Sequence, residues 1–201
     1  IELILAQTPS ERQTALFSAT IPSEIRRLAE KYMHSPQQIT IARKQMTVET
    51  IEQRYYLVHE ADKLAALTRL FEMEEITSAL IFARTRAGTA DLAVELTRRG
   101  YPAEVLNGDL SQDARENTLS RFRQNLIKVL VATDVAARGL DIEDISHVFN
   151  FDLPDDPEIY VHRIGRTGRA GKTGIAITLL TPYERRRLGH IESFTRSKIK
   201  Q

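Results

Sequence analysis

Residues 78–106 read SALIFARTRAGTADLAVELTRRGYPAEVL, which is an apolar run, an amphipathic segment and a second apolar run. The run SALIFA is short and apolar enough for a buried strand, the segment Arg86 to Arg99 has the period of a helix, and Gly100 follows as a stop signal. The same alternation continues over residues 51–201. Strands that alternate with helices form a parallel sheet covered on both faces, so residues 51–201 are predicted to be one α/β domain.

The alternation predicts six strands and the helices between them. The strands are EQRYYLV (52–58), SALIFA (78–83), AEVL (103–106), KVLVAT (128–133), HVFNFDL (147–153) and IAITLL (175–180). The helices are Lys63 to Met73, Arg86 to Arg99 and Ser111 to Gln124. Ser111 is a typical N-cap, and Asp156 followed by Pro157 predicts the start of a further helix.

The first 41 residues have a different organisation. They predict a helix, a strand over Gln13 to Phe17, a second helix over Pro22 to Met33 and a short apolar run. A single strand would leave its backbone groups unpaired, so residues 1–41 are interpreted as the remnant of another α/β domain. We expect this segment to pair with another copy of the chain or with the edge of its own domain. The polar residues 42–50 are predicted to be a linker.

Composition excludes several classes of site. The chain has 201 residues, a net charge of +1 and no cysteine, which removes disulfides, thiolate metal sites and a cysteine nucleophile. Its five histidines have no ligand spacing, so no metal site is expected. The apolar runs are too short for a membrane span and the N-terminus lacks the pattern of a secretory signal, so a cytoplasmic protein is expected.

Residues 162–171 read HRIGRTGRAG and place four guanidinium or imidazole side chains among glycines, without an acid in the stretch. These side chains are His162, Arg163, Arg166 and Arg169. An arginine fork matches phosphate oxygens, and glycine lets a backbone pass close to a bulky anion. The three arginines are spaced i, i+3, which would project them from one side of a helix. The stretch therefore predicts a phosphate-binding cluster.

Further motifs make this prediction specific. They are SAT (18–20), LNGDLSQDAR (106–115), VATDVAARGLD (131–141) and FNFDLP (149–154). Together with HRIGRTGR and in this order, they resemble the C-terminal half of a DEAD-box RNA helicase of superfamily 2. Related helicase groups usually carry Gln at the position of His162, so the resemblance favours the DEAD-box branch. It implies a RecA-like α/β fold, preceded by the end of a first RecA-like domain.

The resemblance also implies an ATP site that this chain does not complete. In the family, two RecA-like domains close over ATP and RNA, and ATP with Mg²⁺ would be held mainly by the first domain, which is missing here. The nearest match to a phosphate-binding loop, Gly165 to Thr173, has five residues between its glycines instead of four. We therefore expect the isolated chain to be inactive.

Individual roles follow from the resemblance, motif by motif. Catalytic arginine fingers that reach the γ-phosphate would be Arg166 and Arg169. A hydrogen bond to the ATP ribose would come from Asp141. Coupling between the two domains would involve Ser18, Thr20, Arg138 and His162.

RNA contacts are implied at the ends of strands and the starts of helices. The candidates are Thr85, Gly108, Gln112, Arg115, Thr133 and Gly139. A helix N-terminus attracts phosphate, which supports the position of Arg115 near Gly108. The chain has no tryptophan and no aromatic stripe for stacking bases. We expect it to bind the sugar-phosphate backbone of RNA without sequence preference.

Alternatives remain open on the sequence alone. A non-enzymatic module that grips RNA or a protein would carry the same contacts, and a DNA-directed translocase is disfavoured only by the motif spelling. The last segment, Tyr183 to Gln201, has six basic residues against two glutamates on a helical pattern. It is interpreted as a solvated terminal helix or as an auxiliary RNA-binding surface.

Overall fold

The structure is a computed structural model. It describes residues 2–9, 11–17, 21, 23–39, 50–137, 145–168 and 173–201. The predicted site residues outside these ranges are Ser18, Thr20, Arg138, Gly139, Asp141 and Arg169. The chain divides into two compact units, Ile1–Arg43 and Lys44–Gln201. Among the described helices, none has the length and apolar character that a bilayer span requires.

The second unit is built on one sheet of six strands. They are β1 (Ile51–Leu57), β2 (Ala79–Phe82), β3 (Ala103–Leu106), β4 (Val129–Ala132), β5 (His147–Asn150) and β6 (Gly174–Leu180). Every pairing is parallel and the order across the sheet is β1-β6-β5-β2-β4-β3. The predicted α/β fold with a parallel sheet is confirmed. Strand β5 ends three residues earlier than predicted, and beyond it the Asp152 carboxylate accepts the backbone N–H of Arg84.

Eight α-helices lie among the described residues. They are α1 (Glu2–Ala6), α2 (Ser23–Tyr32), α3 (Lys63–Met73), α4 (Arg86–Arg98), α5 (Gln112–Arg123), α6 (Asp134–Ala137), α7 (Pro157–Ile164) and α8 (Arg185–Thr195). The predicted N-caps are confirmed: Ser111 accepts a hydrogen bond from the Ala114 N–H at 3.2 Å, and Asp156 accepts one from the Glu158 N–H at 2.8 Å. Each such cap stabilises a helix by about 1 kcal/mol.

Helices cover both faces of the sheet, because alternate side chains of each strand point to opposite sides. On β2, Leu80 and Phe82 belong to a buried cluster that includes residues of α5 and α6. Ala79 and Ile81 belong to a second buried cluster, which includes residues of α3 and α4. A strand with all four side chains buried is typical of the centre of a parallel sheet.

A third buried cluster lies at β6, where α7 and α8 meet. Leu188 and Ile191 of α8 are buried in it, together with Tyr160 of α7. The terminal helix is therefore solvated on one face only. This packing explains the apolar residues of the segment Tyr183 to Gln201, for which the sequence allowed two interpretations.

The first unit contains α1 and α2 but no strand in its described residues. The prediction of a strand over Gln13 to Phe17 is wrong, since residues 12–17 have no regular structure and the Phe17 side chain is 92% exposed. A strand is stable only when neighbours accept its backbone hydrogen bonds. The helix predicted over Pro22 to Met33 is confirmed as α2, although none of its residues is buried.

Candidate functional site

The described candidates for RNA contact lie at one edge of the sheet. All strands run in the same direction, so their carboxyl ends meet at a single edge, where ligands of open α/β sheets bind. Thr85 follows β2, Gly108 follows β3 and Thr133 follows β4 directly. The fold thus brings together three residues that are up to 48 positions apart in the sequence (133 − 85 = 48).

Thr85 and Gly108 belong to two loops that contact each other. The Thr85 hydroxyl caps α4 by accepting the Gly88 N–H at 3.0 Å. Arg86 pairs with Asp109 at 2.9 Å, and a Cβ atom added at Gly108 would lie 3.4 Å from the Arg86 Nε. A side chain at position 108 would therefore be in ordinary van der Waals contact with the Arg86 guanidinium, which lies beside the loop after β3.

Asn107 holds this pair of loops together and was missed by the sequence analysis. Its buried amide donates to the Arg86 carbonyl at 3.3 Å and to the Thr89 hydroxyl at 3.1 Å. Its side-chain oxygen accepts the Asp109 N–H at 3.0 Å. The signal was available, since Asn107 precedes Gly108 in the LNGD motif, but a turn asparagine has no distinguishing spacing.

Gln112 and Arg115 lie on the first turn of α5 with different surroundings. Gln112 is exposed and donates to Glu116 at 2.6 Å. The Arg115 guanidinium donates to the carbonyl of Ala136 at 2.5 Å and so ties α5 to α6. This bond uses one of the five N–H donors of the guanidinium, so the others can serve a phosphate. Thr133 is buried at 8% exposure, and its carbonyl accepts the first hydrogen bond of α6 from Ala137.

Arg163 corrects the sequence-based interpretation of the cationic stretch. Its side chain is 3% exposed and its guanidinium forms a two-pronged ion pair with Asp134, at 2.6 and 2.8 Å. It also donates to Asn150 at 3.1 Å and lies over the Phe82 ring at 4.9 Å. The neutralising acid comes from a distant segment, so the Arg163 guanidinium is held inside the protein by its own partners.

Gly168 also differs from the expectation that glycine serves the approach of an anion. Its φ is +67°, and a Cβ atom there would lie 2.6 Å from Cγ1 of Ile51. The Thr50 hydroxyl donates to the Gly168 carbonyl at 2.9 Å. This glycine therefore allows two segments of the protein itself to meet, at the start of β1.

Arg166 and His162 line a pocket next to the buried arginine. Its other lining residues are Phe82, Asp134, Ala137, Ile159 and Arg163. The cavity is about 30 Å³, enough for a water molecule. Burial lowers the pKa of Arg166 from its ordinary value, and a guanidinium stays cationic at physiological pH after such a change. A half-buried cation at a pocket rim can stabilise an anion more strongly than a solvated one.

The remaining expectations concern residues outside the described ranges or groups that are absent from them. Arg169, Asp141, Gly139, Arg138, Ser18 and Thr20 lie outside the part of the chain that the structure describes. Within that part, no three histidine, aspartate or glutamate side chains form a group that could hold a metal ion.

Comparison with protein families gives a match to the Helicase conserved C-terminal domain over residues 62–171. The chain is 53% identical over all 201 residues to the DEAD-box ATP-dependent RNA helicase CshA of Geobacillus kaustophilus. It spans 43% of the length of that relative.

Solved structures agree with the sequence comparison. A DEAD box protein from Methanococcus jannaschii is 42% identical and has a TM-score of 0.72, over 99% of this chain and 53% of that one. Dbp5 of S. cerevisiae, solved bound to RNA and ADP BeF3, is 33% identical with a TM-score of 0.84, over 98% of this chain and 53% of that one. The likeness therefore covers nearly all of this chain and about half of each solved chain.

Proposed function

The chain belongs to the DEAD-box RNA helicase family as its C-terminal helicase domain, and on that premise we propose that it supplies half of an ATP-driven RNA-unwinding site. The proposed substrates are RNA and ATP, the latter with Mg²⁺. The observation that carries the proposal is the carboxyl edge of the sheet, where Thr85, Gly108 and Thr133 lie, together with the pocket that extends from Phe82 and Asp134 at this edge to Arg166. One site can therefore meet both substrates.

The RNA side of this edge would bind the sugar-phosphate backbone. Thr85, Gly108, Gln112, Arg115 and Thr133 present hydroxyl, amide, guanidinium and backbone groups, which are the groups that contact phosphate and sugar. Among the described residues, no contact holds an aromatic ring at this edge in a position to stack on a base. We propose binding without sequence preference, with Gly139 as a further contact.

The ATP side would provide charge for phosphoryl transfer. During transfer, negative charge spreads over the equatorial oxygens of the γ-phosphate, and an arginine finger stabilises it. Arg166 would be one finger and Arg169 the second, while Asp141 would bind the ribose. His162 lines the same pocket as Arg166 and would couple it to the first domain, along with Ser18, Thr20 and Arg138.

Hydrolysis would need a second RecA-like domain, because a phosphate-binding loop of the G-x-x-x-x-G-K-[ST] type is required to hold ATP and this sequence has none. We propose that residues 1–41 are the end of that first domain, 42–50 the linker and 51–201 the second domain. The chain alone would then neither hydrolyse ATP nor unwind RNA. Self-association through residues 1–41 stays a prediction.

Arg166→Ala tests the proposed arginine finger. The test uses a two-domain protein in which this chain is joined to the rest of the first RecA-like domain. We expect RNA-stimulated ATP turnover to fall at least about a hundredfold, as it does when a transition-state donor is removed. Arg98→Ala is the matched control, because Arg98 is exposed and pairs with Glu95 on its own helix. Near-normal turnover by Arg166→Ala would contradict the finger assignment.

The 201-residue chain alone provides a second test. It should give no ATP turnover above a buffer blank with saturating RNA. A chain that binds RNA while the two-domain protein also fails to hydrolyse ATP would favour the alternative of a non-enzymatic binding module.

A further inference from the structure

Asp152, just beyond β5, lies at the centre of a partly buried polar network. Its Oδ1 atom accepts a hydrogen bond from the Lys63 ammonium at 3.0 Å, and its Oδ2 atom accepts the Arg84 N–H at 2.8 Å. Its carbonyl accepts a hydrogen bond from the Arg163 guanidinium at 2.6 Å. One residue thus joins the start of α3, the end of β2 and the helix α7.

The network continues through Arg163 to the segment after β4. The two-pronged pair between Arg163 and Asp134 fixes α7 to the first residue of α6, and the bond from Arg163 to Asn150 fixes it to β5. Asn150 in turn donates to the Thr178 hydroxyl of β6 at 3.1 Å. We name Lys63, Asp134, Asp152 and Arg163 the carboxyl-edge frame.

Stability alone is a weak reason for such a frame. Removing ionic groups from water is costly, and well-packed apolar residues often stabilise a core equally well. What ions supply in addition is geometry, because a guanidinium fork and a carboxylate have one preferred mutual orientation. Lys63 is fixed by several contacts at once. Its side chain is 1% exposed, and its ammonium also lies 3.0 Å from Glu60 and 5.5 Å from the Phe151 ring centroid.

The frame contacts the candidate site on both sides. Thr85 follows Arg84, whose N–H is held by Asp152, and Thr133 immediately precedes Asp134. On the other side, His162 precedes Arg163. The backbone N–H of Arg166 donates to the Arg163 carbonyl at 3.2 Å.

We propose that the carboxyl-edge frame is a positioning device which holds the RNA-facing Thr85 and Thr133 in a fixed geometry relative to the ATP-facing Arg166. Its four residues are positioning residues for RNA-stimulated ATP hydrolysis, and the inference rests on the proposed function. RNA bound at Thr85 and Thr133 would act on the frame through the neighbouring Arg84 and Asp134. The frame would hold α7 so that Arg166 meets the γ-phosphate in its productive orientation.

Asp134→Asn tests the frame in the two-domain protein. Asparagine keeps the volume and one acceptor oxygen but loses the charge and one arm of the fork. We expect the ratio of RNA-stimulated to basal ATP turnover to fall about tenfold or more, since small displacements of a reacting group cost large factors in rate. The RNA concentration for half-maximal stimulation should change by a smaller factor than the ratio, because the proposed RNA contacts at Gly108, Gln112 and Arg115 lie outside the frame.

The ratio of RNA-stimulated to basal ATP turnover distinguishes a positioning defect from a folding defect. A variant that is partly unfolded loses stimulated and basal turnover in proportion, so their ratio stays constant. Glu74→Gln is the matched control: it removes a carboxylate that pairs with Arg54 at 2.6 Å near the amino ends of the strands, and it should keep the wild-type ratio. A wild-type ratio in Asp134→Asn would overturn the proposal.

Lys63→Met provides a second variant, should Asp134→Asn fail to fold. Methionine matches the length of the buried stem but leaves Asp152 without its ammonium, so the ratio should again fall about tenfold. An unchanged ratio in this variant overturns the role of the frame. If the wild-type protein itself showed no RNA-stimulated turnover, the proposed function would fail instead of this inference.

Discussion

Arg163 and Arg166 lie three residues apart in one cationic stretch and have different surroundings. Both line one pocket, but Arg163 is buried and paired with Asp134, whereas Arg166 is half-buried beside His162. The sequence predicted phosphate binding by both, because an arginine looks the same whether its partner is a ligand or a distant aspartate. Only the fold shows which acid reaches which guanidinium, so long-range pairing decides the role of each arginine.

His147 gives a pH prediction at the same scale. Its Nε2 atom is buried without a hydrogen bond, 3.7 Å from Glu74, while its Nδ1 atom contacts the Ser146 hydroxyl at 2.9 Å. Burial lowers the pKa of His147 below its ordinary value of 6.5, although Glu74 opposes the change and Arg54 adds to it. The folded state therefore binds the proton less readily than the unfolded state.

The lowered pKa determines the direction in which pH changes the free energy of unfolding. Between the lowered folded pKa and 6.5, the unfolded chain binds more protons, so the free energy of unfolding decreases as the pH falls through this window. Urea unfolding of the 201-residue chain at pH 5.5 and 7.5 measures the difference. His147→Gln should reduce it, while His190→Gln at an exposed position should preserve it. If both variants kept the pH dependence of the wild type, His147 would not be the source of that dependence.

At the scale of elements, periodicity predicted the strands and most helices because their stabilising contacts repeat along the sequence. The ends of elements were less accurate, as at β5, which ends at Asn150 instead of Leu153. The strand expected over Gln13 to Phe17 does not form, because a strand depends on neighbours that its own sequence does not encode. The carboxyl-edge frame was missed for the same reason, since its members lie on separate elements.

Replacing either of two glycines by alanine should change the stability of the chain, in opposite directions. Gly168 has a left-handed φ of +67° and no space for a Cβ atom beside Ile51, so Gly168→Ala should destabilise the chain by at least about 1–2 kcal/mol. Gly189 lies inside α8 with nothing within 4 Å of an added Cβ atom, so Gly189→Ala should stabilise by about 0.5–1 kcal/mol.

Urea unfolding of both glycine variants beside the wild type measures the two changes. Equal effects of the two substitutions would mean that neither the close approach at β1 nor the propensity of α8 controls stability. A folded Gly168→Ala variant would also report on the site, because Gly168 lies within the stretch 162–171.

At the scale of the whole molecule, the three apolar clusters of the described residues lie entirely in the second unit, from Ile51 onward. Burial of apolar surface is the dominant favourable contribution to folding. A chain that begins at Lys44 should therefore unfold cooperatively, with a free energy of unfolding within about 0.5 kcal/mol of the full chain, the margin of most surface changes. Urea unfolding monitored by circular dichroism provides the comparison.

A chain that begins at Val58 is the matched control for this truncation. It lacks β1, which pairs with β6 along its whole length, and it removes Ile51 and Tyr55 from the third cluster. Because the loss exposes β6 as a new edge and uncovers apolar surface, we expect either no cooperative unfolding or a midpoint at much lower urea. If instead the chain from Lys44 lost its cooperative transition while the full chain kept it, residues 1–43 would be part of the folding unit, and their interpretation as the end of a separate domain would be wrong.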